Sequence, residues 1–187
     1  MGVRRVKPRG RLVVCGLGID RPQDTTLGTI QALKDSQTAF YIHGDGHSLK
    51  PFLSAFCPDI RLLASAAFDA LSESKKLDFI LASICTELGE GNNVAYVTYG
   101  HPLIFSEGEA VFKHCRSRGF ECRVVAAPSS VDSILAEVSD IEDALSSGYL
   151  SCLAETILRP RAGPRKGAAA VLLCLDRVVR GGRFGDF

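Results

Sequence analysis

The chain has 187 residues, of which 46% are hydrophobic and 23% charged, so it is long enough to bury one full core and a smaller second one. Its apolar runs are shorter than the roughly 18 residues that a membrane-spanning helix needs. A formal net charge of +1 gives no overall attraction to nucleic acid. We therefore expect a cytoplasmic protein that binds neither membrane nor nucleic acid. The seven cysteines include no C-x-x-C pair, and most lie in apolar stretches, as small buried side chains do.

The first predicted strand, residues 11–15 (RLVVC), runs into a glycine-containing loop, GLGID. Gly16 and Gly18 let the backbone approach a ligand closely. A dinucleotide-binding fingerprint would have a third glycine at position 21 and would open a helix at once, but Arg21 and Pro22 follow instead. The loop therefore argues only weakly for NAD binding.

The next helix is predicted to start at Thr25 or Thr26, since either hydroxyl can cap it, and to carry Leu27, Ile30 and Leu33 on one face. Downstream of this helix, the sequence predicts strands at 39–42, 94–99, 121–125 and 168–179. The predicted helices are at 48–56, at 68–88, from 106, from 131 and, as a short one, at 153–158. A turn at 57–59 leads to residues 61–63.

Residues 43–47 (HGDGH) place two imidazoles and a carboxylate close together, which is a possible zinc site. The glycines favour an ordinary loop, and no further His or Cys stands nearby to complete a tetrahedral set. We therefore expect no metal site, with zinc as the weaker alternative.

The longest helical pattern, residues 68–88, repeats apolar residues at a helical spacing, and Gly89 and Gly91 supply its stop. Its amino-terminal part contains Lys75 and Lys76. Because this helix leads directly into the central strand, these lysines can face a ligand crevice, or they can simply be solvated.

The central stretch NVAYVTYGHPLIF predicts a strand buried on both faces, since it is apolar, β-branched and aromatic. The strand must end at Gly100 and Pro102, because proline cannot donate to a ladder. Ligands of open parallel sheets bind beyond the carboxyl ends of the strands, which makes Tyr99 and His101 candidate site residues. The alternative is an exposed turn with a solvated histidine.

Ser106 and Glu109 have the S-x-x-E spacing of a capping box at the start of the next helix. The predicted inner face of that helix consists of Ala110, Val111, His114 and Cys115.

A third loop follows the strand at 121–125, and its Ser129 and Ser130 can bind a polar ligand or cap the next helix. Strand–helix units recur along the chain and predict an α/β fold with a mainly parallel sheet. We expect an N-terminal α/β domain at 1–126 and a smaller, shortened α/β part at 127–187.

In order and spacing, the three loops (GLGID followed by TL, YGHPLIF, and PSS) resemble those of the tetrapyrrole (corrin/porphyrin) methylase superfamily. Most members carry Asp where this chain has His101. The Y-G-H-P-x-x-F version is most similar to the branch of peptide backbone N-methyltransferases that make borosins. The segment LAET at 153–156 and the strand at 171–175 are similar to that branch as well.

The resemblance implies an S-adenosylmethionine-dependent methyltransferase acting on a peptide or a tetrapyrrole-like small molecule, with the cofactor in a trough between the two domains and with a homodimer as the expected assembly. The cofactor-binding residues it implies are Gly16, Gly18, Tyr99, Gly100, His101, Pro102, Ile104, Ser129, Ser130 and Ala154. Catalysis would be in-line methyl transfer with removal of one proton, for which we single out Lys75 and Tyr99.

Two departures from the peptide-methylating branch favour an alternative, a non-catalytic member that binds a cofactor or a partner. That branch has an Arg and a Tyr on the helix before the central strand, whereas this chain offers Lys75 or Lys76 and Phe79. Family members also usually continue through more C-terminal strands, so part of the adenine pocket is expected to be absent or to come from a partner subunit.

Overall fold

The computed structural model of the chain describes residues 9–42, 46–104, 106–137, 149–153 and 169–173. The chain divides into two compact units, Met1–Ser130 and Val131–Phe187. The elements are β1 (Arg11–Gly16), α1 (Leu27–Lys34), β2 (Thr38–Tyr41), α2 (Gly46–Ser54), β3 (Asp59–Leu62), α3 (Ala66–Asp69), α4 (Glu73–Glu90), β4 (Val94–Thr98), α5 (Gly108–Ser117), β5 (Glu121–Val125), α6 (Ser130–Glu137), β6 (Tyr149–Leu153) and β7 (Ala169–Leu173).

The first unit contains a five-stranded sheet in the order β3-β2-β4-β1-β5, in which every pairing is parallel. All five residues of β4 are buried, as expected for the apolar strand at the centre of the sheet. In the second unit, β6 and β7 pair in parallel. The predicted α/β fold with a parallel sheet is confirmed.

Helices cover both faces of this sheet. On one face, α4 and α5 pack over Val14 and Tyr96, and on the other face, α1 and α2 pack over Cys15 and Val97. Because each strand–helix–strand unit returns to the same edge, the loops after β1, β4 and β5 leave the sheet at its carboxyl-terminal edge.

The helix predicted at 68–88 is in fact two helices, α3 and α4. The Ser65 hydroxyl caps α3 by accepting from the amide of Phe68 at 3.1 Å. The chain then leaves the helical path, and Ser72 takes an extended conformation (ψ 155°) as the N-cap of α4. Gly91 ends α4 with a φ of 91°, which confirms the predicted stop.

The capping prediction for α1 is confirmed, since the Thr26 hydroxyl accepts from the amide of Thr29 at 3.1 Å. Its predicted inner face is wrong in part: Leu27 is 84% exposed, and the buried residues are Thr29, Ala32 and Leu33. The helix is rotated so that the Thr29 hydroxyl donates to the carbonyl of Gly16 at 2.8 Å, which turns Leu27 outward.

The predicted capping box of α5 is not formed. Glu107 is the N-cap residue, and the Ser106 hydroxyl instead accepts from the amide of Gly108 at 3.2 Å. The Glu109 carboxylate pairs along the helix with Lys113 rather than reaching back to the cap. The buried face contains Val111 and Cys115, as predicted.

Two other predictions fall partly outside the described residues. The helix predicted at 153–158 is wrong at Leu153, which ends strand β6, and 154–158 lie outside the described ranges. His43 and Asp45 of the alternative zinc motif also lie outside them, whereas His47 belongs to the first turn of α2. No helix in the described part of the chain is both long and apolar enough to cross a membrane.

Glu87 is a buried carboxylate near the amino-terminal edge of the sheet, and it is only 7% exposed. It accepts hydrogen bonds from Arg61 and Asn92, each at 2.6 Å. Burial alone would raise the pKa of the Glu87 carboxyl, but the Asn92 and Arg61 hydrogen bonds outweigh it and hold the pKa below its usual value of 4.5.

Tyr96 is fully buried on β4. Its hydroxyl is the one buried side-chain oxygen or nitrogen in the described part of the chain that has no hydrogen-bond partner. Burial, with a smaller effect from the negative charge of Glu107, raises the pKa of Tyr96 far above its usual range, so the phenol stays protonated.

Candidate functional site

The loops after β1, β4 and β5 converge on Gly16. A Cβ atom at this position would lie 2.1 Å from the carbonyl oxygen of Gly100, 2.8 Å from the Cβ of Ala127 and 3.0 Å from the Cδ of Pro102. Only a residue without a side chain fits between these atoms. The structure therefore brings together the three loops that were singled out in the sequence.

A backbone bridge joins the first two loops beyond the end of the sheet. The amide of Gly100 donates to the carbonyl of Gly18 at 3.0 Å, and the two residues form an isolated antiparallel pair. Their φ angles of 80° for Gly18 and 64° for Gly100 lie in the left-handed region that glycine adopts readily. Both glycines are therefore required by the conformation of the loops.

Asp24 holds the first loop in shape. Its Oδ2 accepts from the amides of Ile19 at 3.0 Å and Asp20 at 2.9 Å, and its Cβ fills the space where a Cβ on Gly18 would lie. Asp24 was not among the residues predicted from the sequence. The available signal was an aspartate a few residues beyond the glycine pair, since Asp side chains commonly bond to backbone amides of nearby turns.

Tyr99 stands at the carboxyl end of β4 and is 39% exposed. The guanidinium carbon of Arg21 lies 4.6 Å from the centre of its ring, a cation–π contact that links the first and second loops. Leu103 and Ile104 are exposed to a similar extent on the same loop. The carboxyl-terminal edge of the sheet thus presents aromatic and aliphatic side chains beside the positive charge of Arg21. That arginine was not predicted from the sequence to belong to the site.

His101 is half-buried and organises the turn that follows Tyr99. Its Nδ1 accepts from the amide of Leu103 at 3.2 Å, and its carbonyl accepts from the amide of Ile104 at 3.2 Å. A histidine ring that accepts at Nδ1 has Nε2 as its donor nitrogen. His101 therefore offers one ring N–H group as a hydrogen-bond donor.

Pro102 anchors this turn to helix α5. Its carbonyl accepts a hydrogen bond from the Ser106 hydroxyl. A Cβ at Gly108, the first residue of α5, would lie 2.0 Å from the same carbonyl oxygen. The central loop is thus packed directly on the start of the helix.

The third loop supplies buried serine and alanine residues. Ala127 and Ser129 are 7% and 3% exposed, while Ser130 is exposed as the first residue of α6. Ala154, which the family resemblance also assigned to the cofactor, lies outside the described residues. The binding roles of these residues stay predictions.

Lys75 lies exposed in the first turn of α4. Its neighbour Lys76 pairs with Glu73 at 3.0 Å and lies 5.8 Å from the ring centre of Phe68. Phe79 also packs against Phe68, with ring centres 5.9 Å apart. The catalytic assignment of Lys75 stays a prediction.

Cys15 immediately precedes Gly16 but does not act as a nucleophile. It is completely buried, and this burial raises the pKa of its thiol to about 12. The thiol is therefore protonated at neutral pH and unreactive.

A recess of about 190 Å³ lies at the opposite, amino-terminal edge of the sheet. Asp35 and Arg123 line it and approach each other to 3.6 Å. Asn93 is engaged by the backbone amide of Arg11 at 3.2 Å. Asp35, Arg123 and Asn93 are thus already engaged with other residues of the recess, which makes it a weaker candidate site than the carboxyl-terminal edge.

The family model of the Tetrapyrrole (Corrin/Porphyrin) Methylases matches residues 11–139. A methyltransferase/ribosomally synthesized type I borosin cyclic peptide precursor of Gymnopilus junonius is 29% identical over 159 residues, which cover 80% of this chain and 35% of that protein. A protein of the same description from Serendipita vermifera subsp. bescii is 26% identical over 136 residues, which cover 70% of this chain and 32% of that protein. The chain thus spans about a third of the length of these curated relatives.

Two solved structures share the fold. A cobalamin synthesis related protein from Corynebacterium diphtheriae has a TM-score of 0.65 at 14% identity, with 88% of this chain and 71% of that chain covered. The uroporphyrin-III-C-methyltransferase of Thermus thermophilus has a TM-score of 0.61 at 19% identity, with 94% of this chain and 73% of that chain covered. At sequence identities this low, the similarity to these two structures shows a shared fold alone.

Proposed function

Because this chain belongs to the tetrapyrrole (corrin/porphyrin) methylase family, we propose that it is an S-adenosylmethionine-dependent methyltransferase. The observation that carries the proposal is the convergence of the three loops on Gly16, at the edge where open parallel sheets bind ligands. The loops meet through backbone atoms and leave Tyr99, His101 and Ile104 at the surface beside them.

The residues present at this edge fit such a cofactor. Exposed Tyr99 and Ile104 offer apolar surface for its carbon skeleton, and the Nε2–H group of His101 can donate to one of its polar ends. Gly18 and Gly100 keep bulky side chains away from the space above them. S-adenosylmethionine supplies an electrophilic methyl group when bound, and the main contribution of the protein is to align the acceptor with that group.

The chain must also remove one proton from the acceptor. We assign this step to Lys75 or Tyr99, the amine and the phenol that stand exposed in the first turn of α4 and at the end of β4. Lys76 is the weaker candidate, because its ammonium group pairs with Glu73.

We further propose a peptide as the acceptor and a homodimer as the assembly. The support for the peptide is the similarity to two proteins described as methyltransferase/ribosomally synthesized type I borosin cyclic peptide precursors. A tetrapyrrole-like small molecule is the second candidate, supported by the family as a whole. Equilibrium sedimentation tests the dimer.

Calorimetric titration with S-adenosylmethionine, and separately with S-adenosylhomocysteine, tests the cofactor. His101→Ala should weaken binding by about tenfold, since the loss of one hydrogen bond in a desolvated site costs about 1–1.5 kcal/mol. His114→Ala is the matched control, because that histidine is equally half-buried but lies on α5. The absence of binding at millimolar concentration, or equal effects of both substitutions, would refute the site.

Mass spectrometry then separates an enzyme from a binder. The protein is incubated with S-adenosylmethionine and either a peptide library or uroporphyrinogen, and the products are searched for added methyl groups. Methylated peptide supports the leading proposal, and methylated tetrapyrrole supports the second. Cofactor binding without transfer to either class would favour the non-catalytic alternative.

A further inference from the structure

Arg21 is a half-buried residue in the loop after β1, and the methyltransferase function proposed above gives it no role. Its guanidinium carbon lies 4.6 Å from the centre of the Tyr99 ring. This is the shortest cation–π contact between residues that the structure describes, and the next, between Arg9 and Phe120, measures 5.4 Å. Since the attraction weakens with distance, the Arg21–Tyr99 contact is the strongest of its kind in this part of the chain.

The backbone that carries Arg21 is a closed turn. The amide of Asp24 donates to the carbonyl of Asp20 at 2.8 Å, and the Asp24 carboxylate accepts from the amide of Asp20 at 2.9 Å. The Thr25 hydroxyl joins the end of this turn to the end of β1 by donating to the carbonyl of Leu17 at 3.1 Å. The backbone of Arg21 is therefore held in place beside the carboxyl-terminal edge of the sheet.

The backbone beside Tyr99 is tied to the same loop. The amide of Gly100, which directly follows Tyr99, donates to the carbonyl of Gly18 at 3.0 Å. Arg21 follows Gly18 by three residues. The two loops are thus joined twice, once through their backbones and once through the contact between the Arg21 and Tyr99 side chains.

This contact decides which surface of Tyr99 a ligand can reach. A tyrosine ring has two faces, and the guanidinium group of Arg21 covers one of them. Tyr99 is still 39% exposed, so it presents the opposite face and the hydroxyl edge to the candidate site. Fixing an exposed ring in advance also lowers the entropy that is lost when a ligand packs on it.

We propose that Arg21 is a positioning residue of the site: it holds the Tyr99 ring by one face, so that the cofactor and the acceptor meet the other face and the hydroxyl. The inference rests on the proposed function, which assigns Tyr99 to the site. Arg21 acts through Tyr99 and does not have to touch the ligand. Its positive charge is required, because the attraction is between a cation and the π electrons of the ring.

The first measurement follows the Tyr99 ring by NMR in the full-length protein. Labelling of the four tyrosine rings with carbon-13 gives their signals, and Tyr99→Phe identifies the one that belongs to Tyr99. Arg21→Met keeps an unbranched side chain without the charge, so we expect it to shift the Tyr99 signal and to lower the order parameter of the ring. Arg21→Lys keeps a cation and should leave the order parameter close to that of the wild type.

Arg116→Met is the matched control for these variants. The guanidinium carbon of Arg116 lies 5.8 Å from the ring centre of Phe112 on α5, so the same substitution removes a cation–π contact with a different ring. The Tyr99 signal should stay unchanged in this variant. Urea unfolding should show a similar, small change in both Arg→Met variants, which separates effects on binding from effects on stability.

Calorimetric titration with S-adenosylhomocysteine then measures what the contact contributes to binding. We expect Arg21→Met to weaken binding by about three- to fivefold, which corresponds to the loss of one partly exposed cation–π contact. Arg21→Lys and Arg116→Met should each change the affinity by less than about twofold. Recovery with lysine distinguishes the positioning role, which needs the charge, from a general need for the arginine side chain in the loop.

Three results would overturn the inference and leave the proposed function standing. They are an unchanged Tyr99 ring signal in Arg21→Met, an affinity of Arg21→Met equal to that of the wild type, and a loss of affinity that Arg21→Lys does not reverse. If the wild-type protein bound no S-adenosylhomocysteine, the proposed function would fail instead, and the role of Arg21 at the site with it, even where the ring signals show the contact.

Discussion

Replacing Gly16 by alanine tests the contact at which the three loops meet. The added Cβ would lie 2.1 Å from the Gly100 carbonyl oxygen, and no rotamer change relieves the clash, because the opposing atom belongs to the backbone. Restoring an ordinary carbon–oxygen contact requires the loops to separate by about 1 Å. Overpacking of this kind costs about 1–3 kcal/mol, and the simultaneous contacts with Ala127 and Pro102 place Gly16→Ala near 3 kcal/mol.

The matched control is Gly89→Ala. Gly89 lies within α4, and a Cβ there has no neighbouring atom within 4 Å. The same chemical change should therefore stabilise the protein by about 0.5–1 kcal/mol, because alanine loses less backbone entropy in a helix. The two Gly→Ala variants are expected to shift the free energy of unfolding in opposite directions.

Urea unfolding measures both variants, and calorimetry measures their affinity for S-adenosylmethionine. We expect Gly16→Ala to lower the unfolding midpoint and to weaken cofactor binding, whereas Gly89→Ala should bind like the wild type. If Gly16→Ala were as stable as the wild type and bound the cofactor equally well, the convergence of the loops at Gly16 would not define the site.

Two further predictions concern buried polar groups away from this edge. Glu87→Gln should cost about 1–3 kcal/mol at pH 7, because it weakens charge-assisted hydrogen bonds from Arg61 and Asn92. Since folding lowers the pKa of Glu87, its ionised carboxylate stabilises the folded protein fully above pH 4.5, and this stabilisation is lost as the pH falls through the lower folded-state pKa. Urea unfolding from pH 7 to pH 3 should therefore show a weaker loss of stability with acid in Glu87→Gln than in the wild type. The same pH dependence in both proteins would contradict this. Tyr96→Phe should raise the free energy of unfolding by about 1 kcal/mol, because it removes a buried hydroxyl without a partner. A decrease in thermal or urea stability would show instead that the hydroxyl is hydrogen-bonded in solution.

The strands and the loops that follow them could be predicted because their signals are local. The apolar, β-branched run before Gly100 specifies a buried strand, and Pro102 must end it whatever the rest of the chain does. The break between α3 and α4 was not predictable in this way. Leu71 falls where the apolar pattern continues, and only the extended conformation of Ser72 ends the helical path.

The site was predictable as a set of loops but not as a set of contacts. The sequence marks Gly16, Gly18 and Gly100 as residues that allow close approach, yet it does not reveal that the first meets the carbonyl of the last. The hydrogen bond from the amide of Ile19 to Asp24 and the Arg21–Tyr99 contact were also not predicted, because each depends on the conformation of the turn after Gly18. Long-range partners of this kind follow from the tertiary fold rather than from local propensity.

The Gly18–Gly100 bridge has a consequence for how this site can change. The bridge itself joins main-chain atoms only, so it can form whichever side chains stand beside it. The side chain of Ile104 takes no part in the bridge, so position 104 can be exchanged while the spacing of the two loops is kept. His101 differs, because its Nδ1 accepts from the amide of Leu103 and shapes the turn. Under the proposed function, smaller residues at position 104 are the first substitutions to try for the acceptance of cofactor analogues with bulkier alkyl groups.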